Sequence, residues 1–593
     1  MNSVIDELDT LFRAAIRSAW DLDADPLIAI SGNEKFGDYQ SNAAMGLAKL
    51  LAEKTGQKTN PRAIAEKITA NLHLGDLASA PPTIAGPGFI NIRLNPQWLQ
   101  KRLGQLAADA NLGLHRAQHP QRVVVDYSGP NIAKEMHVGH LRSTIIGDAI
   151  SRAIESQGHQ VIRQNHIGDW GTQFGMLIAY LNMPNRESPV DYSVTVGGGA
   201  QSDQIVIRDL EDFYRKAKQK FDEDPVFADT ARACVVRLQS GDESARNYWR
   251  GIVAGTRSHY EPLYDRLGVK LRQEHERGES FYNPFLADVV KELKDKRIAE
   301  ESQGAIVVPV EGFEAPLIIE KTGGGYLYAT TDLAAIRFRI QELKANRIIY
   351  THDSRQAQHF AQVFATAKKA GWAEGVSLEY APFGTMLGED GKPFKTRSGG
   401  TVKLKELLDE AQQRALEVLE RERPELPEDQ KKSIAPMVGI GAVKYADLSK
   451  DRTSDYVFSW DQMLNFKGNS APYLQYVYAR IRSIFRKASL EFGRGSTSPT
   501  PPIILEAPAE IALAKQILRL NEVIDLVARE LKPHHLAGYL YELAIRFSGF
   551  YENCPVLQSQ EPTRSSRLAL AELTARTMAT GLDLLGIAQP EQM

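Results

Sequence analysis

Two histidines three residues apart, His137 and His140, close the stretch Lys134-Glu135-Met136-His137-Val138-Gly139-His140. Residues at i and i+3 share one face of a helix, so both rings can meet the same ligand. Gly139 between them has no side chain and leaves room for an adenine or a ribose to approach the backbone. The stretch stands where a helix would begin, and the N–H groups there point outward along a dipole that favours anions. A polyphosphate would settle in such a place, and histidine donors would stabilise charge developing on its α-phosphate. The same pattern also suits a capped helix with surface histidines, or a two-histidine metal site, although no Glu or third ligand stands at the spacing that zinc proteases use. Two commoner nucleotide motifs drop out. Gly388-Glu389-Asp390-Gly391-Lys392-Pro393 has the wrong spacing and a proline where a P-loop needs Ser or Thr, and Gly439-Ile440-Gly441 lacks the third glycine of a dinucleotide fingerprint.

The elements that must position these histidines follow from hydrophobic period. Val123 to Tyr127 is a continuous β-branched run, the mark of a parallel strand covered on both faces. A polar turn from Ser128 to Glu135 then gives way to a helix with Leu141, Ile145, Ile146, Ala149, Ile150 and Ala153 on its apolar face, which makes the first half of a βαβ unit. A second strand is predicted at Val161 to Asn165, leading into His166-Ile167-Gly168-Asp169-Trp170-Gly171, and further strands at 305–310, 316–320 and 347–350. The sheet is therefore interrupted by a largely helical insertion over about 175–300, in which Gly197 to Gly199 reads as a loop.

Ahead of this layer, Val4, Ile5, Leu8, Leu11, Phe12, Ala15 and Ile16 mark an amphipathic opening helix, with more helix at 43–53 and 63–71 and a short strand at Phe89 to Leu94. From about 405 strand patterns vanish and helices dominate, the Pro-rich piece at 496–502 joining two of them. The expected fold class is α/β: a Rossmann-like parallel-sheet catalytic domain over 116–465 with a helical insertion, an N-terminal α+β domain over 1–115, and a C-terminal all-α helical bundle over 466–593. The length of 593 residues fits, since about 150 residues per domain gives roughly three to four units.

Composition narrows the class of function. Hydrophobic residues at 43% and charged residues at 24% suit folded cores rather than disorder. Cys234 and Cys554 are too few for a disulfide framework, which points to a reducing cytoplasm. The acidic N-terminus is unlike a signal peptide, and no run of about 18 apolar residues is present to span a membrane. A net charge of -3 excludes general coating of nucleic acid, so any polyanion must be met by local basic patches.

The segment from Val125 through SGPNIAKEMHVGHLRSTIIGD resembles the signature region of class I aminoacyl-tRNA synthetases, and specifically that of the arginyl-tRNA synthetases. Matching pieces recur in order along essentially the whole chain: FGDYQSN at 36–42, HIGDWGTQFGML at 166–177, YATTDLAA at 328–335, DSRQAQHF at 353–360 and FSGFYENCPVL at 547–557. The resemblance implies activation of L-arginine by ATP with Mg2+ to arginyl-adenylate. The arginyl group then passes to the 2′-OH of the terminal adenosine of the cognate tRNA, with AMP and pyrophosphate released. It also implies exchange of ATP and pyrophosphate that requires tRNA.

A guanidinium never loses its charge and presents a planar fork of donors, so a selective pocket should offer carboxylates able to accept two parallel bonds. By resemblance Asp126, Tyr328 and Asp332 hold the guanidinium, while Asn131, His137 and Gln356 hold the substrate's α-amino and carboxylate groups. A carboxylate left unpaired would reject lysine or citrulline, and no segment need be an editing domain. Lys134, His137, His140 and Arg397 are the catalytic candidates; Lys134, His137, Gly139, His140 and Lys395 are those for ATP. The signature lysine loop of class I enzymes departs from its usual form here: Phe394-Lys395-Thr396-Arg397-Ser398 lacks the second lysine, Arg397 stands in its place, and Lys134 resembles the compensating lysine of such relatives. Gly129 is a second departure, where many relatives carry Ser, so at most backbone groups of Ser128 or Gly129 contribute.

On the predicted helix 471–487, Leu474, Val477, Ile481 and Ile484 form one stripe, with Tyr473, Tyr476, Arg480 and Lys487 beside it. Rings next to cations suit splayed bases of an RNA loop. By resemblance this unit binds the anticodon, and the N-terminal unit the tRNA elbow near the D-loop. A monomer with no resident metal is expected. Two rivals remain at this level: a nucleotidylyltransferase, which has no use for the helical C-terminal unit, and a catalytically retired RNA-binding paralogue.

Overall fold

The valine run lies in the strand Arg122–Asp126, with Val123, Val124 and Val125 fully buried. In the computed structural model, which describes residues 2–56, 58–132, 134–183, 190–192, 205–207, 210–394, 402–490 and 501–593, this strand is central to a parallel sheet. Gln160–Gln164 pairs on one side of it and Arg347–Tyr350 on the other, with Ser377–Tyr380 beyond. Because the second strand of the chain lies to one side of the first and the third to the other, a crevice opens past the C-terminal ends of the strands, which is where ligands bind in such sheets.

Two expectations need correction. The segments at 305–310 and 316–320 do form strands, Ala305–Val308 and Leu317–Glu320, but they pair antiparallel with each other, and the first also with Glu300–Ser302, in a separate three-stranded sheet. So short a connection permits only a hairpin, since a parallel pair needs a crossover of about a dozen residues or more. The fourth strand of the parallel sheet, Ser377–Tyr380, was not anticipated: it is an edge strand with no fully buried residue, so it carries no apolar run. Strand pairing also persists beyond 405, where Tyr456–Val457 runs parallel to Met386–Leu387, a pairing too short to leave a pattern.

The insertion between the second and third strands contains the helices Thr172–Leu181, Leu210–Glu223, Pro225–Gln239, Glu243–Arg266 and Glu279–Asp295. Gly197 to Gly199 lie outside the described residues, as does most of the Pro-rich piece at 496–502. The crossover returns through Tyr328–Gln341 to the third strand.

The helix that follows the histidine motif, Val138–Ser156, is buried over nearly its full length. Gly147 is its tightest contact: a Cβ there would lie 2.3 Å from that of Tyr127, so only glycine lets the helix settle onto the strand end. Buried charges also fasten it. Arg142 pairs with Asp447 at 2.9 Å, and Arg152 with Asp148 at 2.7 Å. Arg152 also donates to the carbonyl of Gly268 and to Asp583 of the last helix, Thr563–Leu584. The helical C-terminal unit thereby grips the helix that carries the motif.

The N-terminal unit has an antiparallel sheet of Ile28–Ile30, Tyr39–Ser41, Phe89–Ile92 and Thr83–Ala85, covered by helices that include Val4–Trp20, capped by Ser3. It leans on the C-terminal helices through Lys515 and Asp38 at 2.6 Å and through the Tyr39 hydroxyl, which donates to Glu522. Among the described residues no helix is long and apolar enough to cross a membrane.

Candidate active site

The histidine motif builds its own helix start. His137 is the N-cap residue of Val138–Ser156; its Nδ1 accepts the Gly139 N–H at 3.0 Å, and Nδ1 of His140 accepts the His137 N–H at 3.1 Å. With each Nδ1 occupied as an acceptor, the proton of each neutral ring sits on Nε2, so both rings present an N–H donor on their other side. The rings lie 4.0 Å apart, centroid to centroid. Burial, with the neighbouring His137 second, pushes His140 down to about 3, and burial together with the Lys134 ammonium lowers His137. The two imidazoles are therefore neutral donors at physiological pH, suited to polarising phosphate or ribose oxygens rather than to general-acid work. Among the described residues no group of three or more His, Cys, Asp or Glu side chains is placed to hold a metal ion.

Several carboxyls lie close enough to feel one another's charge. Asp332 sits one turn into the helix Tyr328–Gln341, so Tyr328 and Asp332 do share a face, and its Oδ2 meets Nε2 of His359 at 2.6 Å. The exposed Tyr328 ring leans edge-on against the same imidazole, 5.1 Å away. Glu279, the first residue of the helix Glu279–Asp295, is pushed up to about 7 by burial and by the charges of Asp169 and Asp332. Asp126 differs from the others. It is buried, and its Oδ2 accepts from Arg339 at 2.6 Å; burial disfavours its charge, but Arg339 and His352 outweigh that and hold the carboxyl below the usual carboxylate range. Only its Oδ1 is without a hydrogen-bond partner, with His352 Nε2 at 3.7 Å. An acidic cleft with one carboxyl poised to ionise is a receptor for a cation.

The turn from Ser128 to Ile132 is pinned to the neighbouring loop: Asn131 pairs with Gly168, and its Oδ1 accepts from Gln173 at 2.8 Å. The N–H groups of Ser128 and Gly129 are both used internally, by the Ser143 hydroxyl and the Asn165 side chain at 2.9 Å each, so the expectation that these backbone groups serve a ligand fails for the donors. Gly129 has φ +54°, and a Cβ there would come within 3.2 Å of the His166 carbonyl, so the turn as folded favours glycine. Gln356 ends a short 3-10 turn and is exposed, one turn ahead of His359. Lys134 is exposed beside the motif, its ammonium over the Tyr214 ring. Lys395 and Arg397 lie outside the described residues. Sequence reasoning missed Glu279, Arg339 and His359. His359 was findable, because it lies in the quoted piece at 353–360; Glu279 and Arg339 gain their meaning only from what packs against them.

At the far end, Leu474, Val477, Ile481 and Ile484 of the helix Ala471–Lys487 are buried as their spacing predicts. Arg480 lies between two tyrosines, 4.9 Å from the Tyr476 centroid and 5.4 Å from that of Tyr551, and donates to the Tyr476 hydroxyl. The Tyr473 hydroxyl meets that of Ser548 at 3.3 Å. Lys487 and Tyr551 line a cavity of about 400 Å³ together with Ile484 and Pro555. Tyr551 belongs to the quoted piece at 547–557 and completes the aromatic and cationic face.

Comparison with known proteins matches the chain in three stretches. A family model described as tRNA synthetases class I (R), catalytic domain, matches residues 102–460. The DALR anticodon binding domain matches 474–593, and the arginyl tRNA synthetase N terminal domain matches 6–94. The arginine–tRNA ligase of Synechococcus elongatus is 50% identical, with all of each chain covered, and that of Cellvibrio japonicus is 52% identical over 96% of each. Among solved structures, the arginyl-tRNA synthetase of Plasmodium falciparum superimposes with a TM-score of 0.83 at 31% identity, and that of Thermus thermophilus with 0.80 at 26%, each covering the full length of both chains.

Proposed function

The chain belongs to the class I arginyl-tRNA synthetases, whose reaction joins arginine to tRNA at the expense of ATP, and from that premise we propose how its residues divide the work. Asp332, steadied by His359, accepts the substrate guanidinium together with Glu279, while Tyr328 covers it. Asp126 contributes its remaining oxygen, its charge being matched by Arg339. Asn131, His137 and Gln356 orient the α-amino and carboxylate groups. The arginine carboxylate then attacks the α-phosphate of Mg2+-bound ATP. Nε2–H of His137 and of His140 donates to the oxygens that gain charge, Gly139, where a Cβ would stand 2.7 Å from the His137 ring, lets that ring lie against the helix start beside the nucleotide, and Lys134, Lys395 and Arg397 neutralise the departing pyrophosphate. Catalysis of this kind is positioning and charge stabilisation, with no covalent enzyme intermediate. The observation that carries this reading is a helix N-terminus with two neutral imidazole donors, found together with the buried carboxyl Glu279 that feels the charges of Asp169 and Asp332.

In this reading residues 1–115 meet the tRNA elbow, 116–465 perform the chemistry, and 466–593 read the anticodon through Tyr473, Tyr476, Arg480 and Lys487, joined by Tyr551. The enzyme works as a monomer in the cytoplasm, and Mg2+ arrives with ATP as part of the substrate. The test is exchange of labelled pyrophosphate into ATP by the full chain. Exchange is expected with arginine and unfractionated tRNA together and with none of the other 19 amino acids; robust exchange without tRNA contradicts the family reading of the first step.

The raised carboxyl of Glu279 gives a pH prediction. Below about 7 it is protonated and offers no charge; above, it is ionised and attracts the guanidinium. Arginine affinity measured calorimetrically is thus expected to rise roughly three- to tenfold from pH 6 to pH 8, as expected when binding favours the ionised form. Glu279→Gln should flatten that slope; a wild-type profile that is already flat removes Glu279 from the pocket.

A further inference from the structure

One helix of the insertion touches both flanks of the histidine motif. Leu210–Glu223 is anchored by Phe213 and Ala217, both fully buried, with the Phe213 ring 5.7 Å from that of Tyr180 on the helix after the 166–171 loop. From this anchored helix Tyr214 presents its ring to Lys134, whose Nζ lies 4.6 Å from the centroid. One turn earlier Glu211 meets Nζ of Lys403 at 2.9 Å, and the same ammonium meets Glu135 at 2.8 Å. Lys403 in turn is paired antiparallel with His137, where Val138 N–H donates to the Val402 carbonyl and Leu404 N–H to that of Met136.

We propose that Tyr214 is a positioning residue for adenylate formation, its ring holding the Lys134 ammonium at the triphosphate side of the histidine motif, with Glu211 and Lys403 fixing the helix that carries it. This rests on the reading that Lys134 acts on ATP. A lysine on a solvent-exposed turn has four rotatable bonds and a strongly hydrated head, so unaided it spends little time in any one place. An aromatic face within about 6 Å restrains it without neutralising its charge, which a carboxylate would do. That the charge already reaches the motif is supported by His137, which the Lys134 ammonium helps keep neutral.

The experiment is a double-mutant cycle on the full chain with tRNA present, reading the single-turnover rate of arginyl-adenylate formation and KM for arginine. Tyr214→Leu is expected to slow the rate roughly tenfold, the upper scale of a cation–ring contact, leaving KM for arginine unchanged. Tyr214→Phe, which keeps the ring, should restore most of the rate. In a Lys134→Ala background Tyr214→Leu should cost nothing more. Equal losses in both backgrounds would make Tyr214 merely structural and overturn the inference. A full rate in Lys134→Ala alone would remove the role of Lys134 and this inference with it.

Discussion

His140→Ala is expected to slow arginyl-adenylate formation by at least roughly 10²-fold, the scale for losing one transition-state donor. Two losses combine. The Nε2–H proposed to face the nucleotide disappears, and so does the Nδ1 that accepts the His137 N–H at 3.1 Å. The second loss loosens a helix cap, worth about 1 kcal/mol of stability, and should show as a small drop in thermal midpoint. The first acts on the rate alone. Because His140 titrates only near 3, the wild-type rate between pH 5 and pH 8 should carry no inflection from this ring. A single-turnover rate unchanged in the alanine variant would refute the donor role.

Asp332→Asn should reduce kcat/KM for arginine by about 10²-fold or more, since removing one charge of a desolvated ion pair costs roughly 2–5 kcal/mol. The substitution keeps the size of the side chain and an oxygen near His359, now 2.6 Å from Oδ2, so the fold should survive and the loss should fall on arginine. Citrulline, which has no charge to match, should lose far less, and the ratio of the two substrates is the sharper measure. An arginine KM equal to that of the wild type would place the guanidinium elsewhere, with Glu279 the alternative acceptor.

Much of this site was legible in residue order because it is built from contiguous pieces. The valine run, the polar turn and the helix after His140 sit side by side in the chain, and period alone orders them. The stripe from Leu474 to Ile484 was legible for the same reason: local spacing decides which face packs. What could not be read depends on distant partners. Nothing in the sequence tells that one oxygen of Asp126 is taken by Arg339, from the crossover helix. Glu279 is an ordinary helix-start acid until Asp169 and Asp332 converge on it from two other elements. The edge strand Ser377–Tyr380 is half-exposed and carries no apolar run to mark it, whereas the strands at 305–308 and 317–320 are legible as strands but not by partner, because period marks a strand without saying what it pairs with.

The buried arginines that fasten the motif helix bear on how the molecule can be cut. Arg152 ends on Asp583, and Lys444 donates to the carbonyls of Leu267 and Gly586. Excising residues 1–465 would strip both cations of the acceptors that Asp583 and Gly586 supply and leave them facing water where they now face protein. The ligating half is therefore not a separable cassette: two of its buried cations are completed only by groups of the helical unit that follows it.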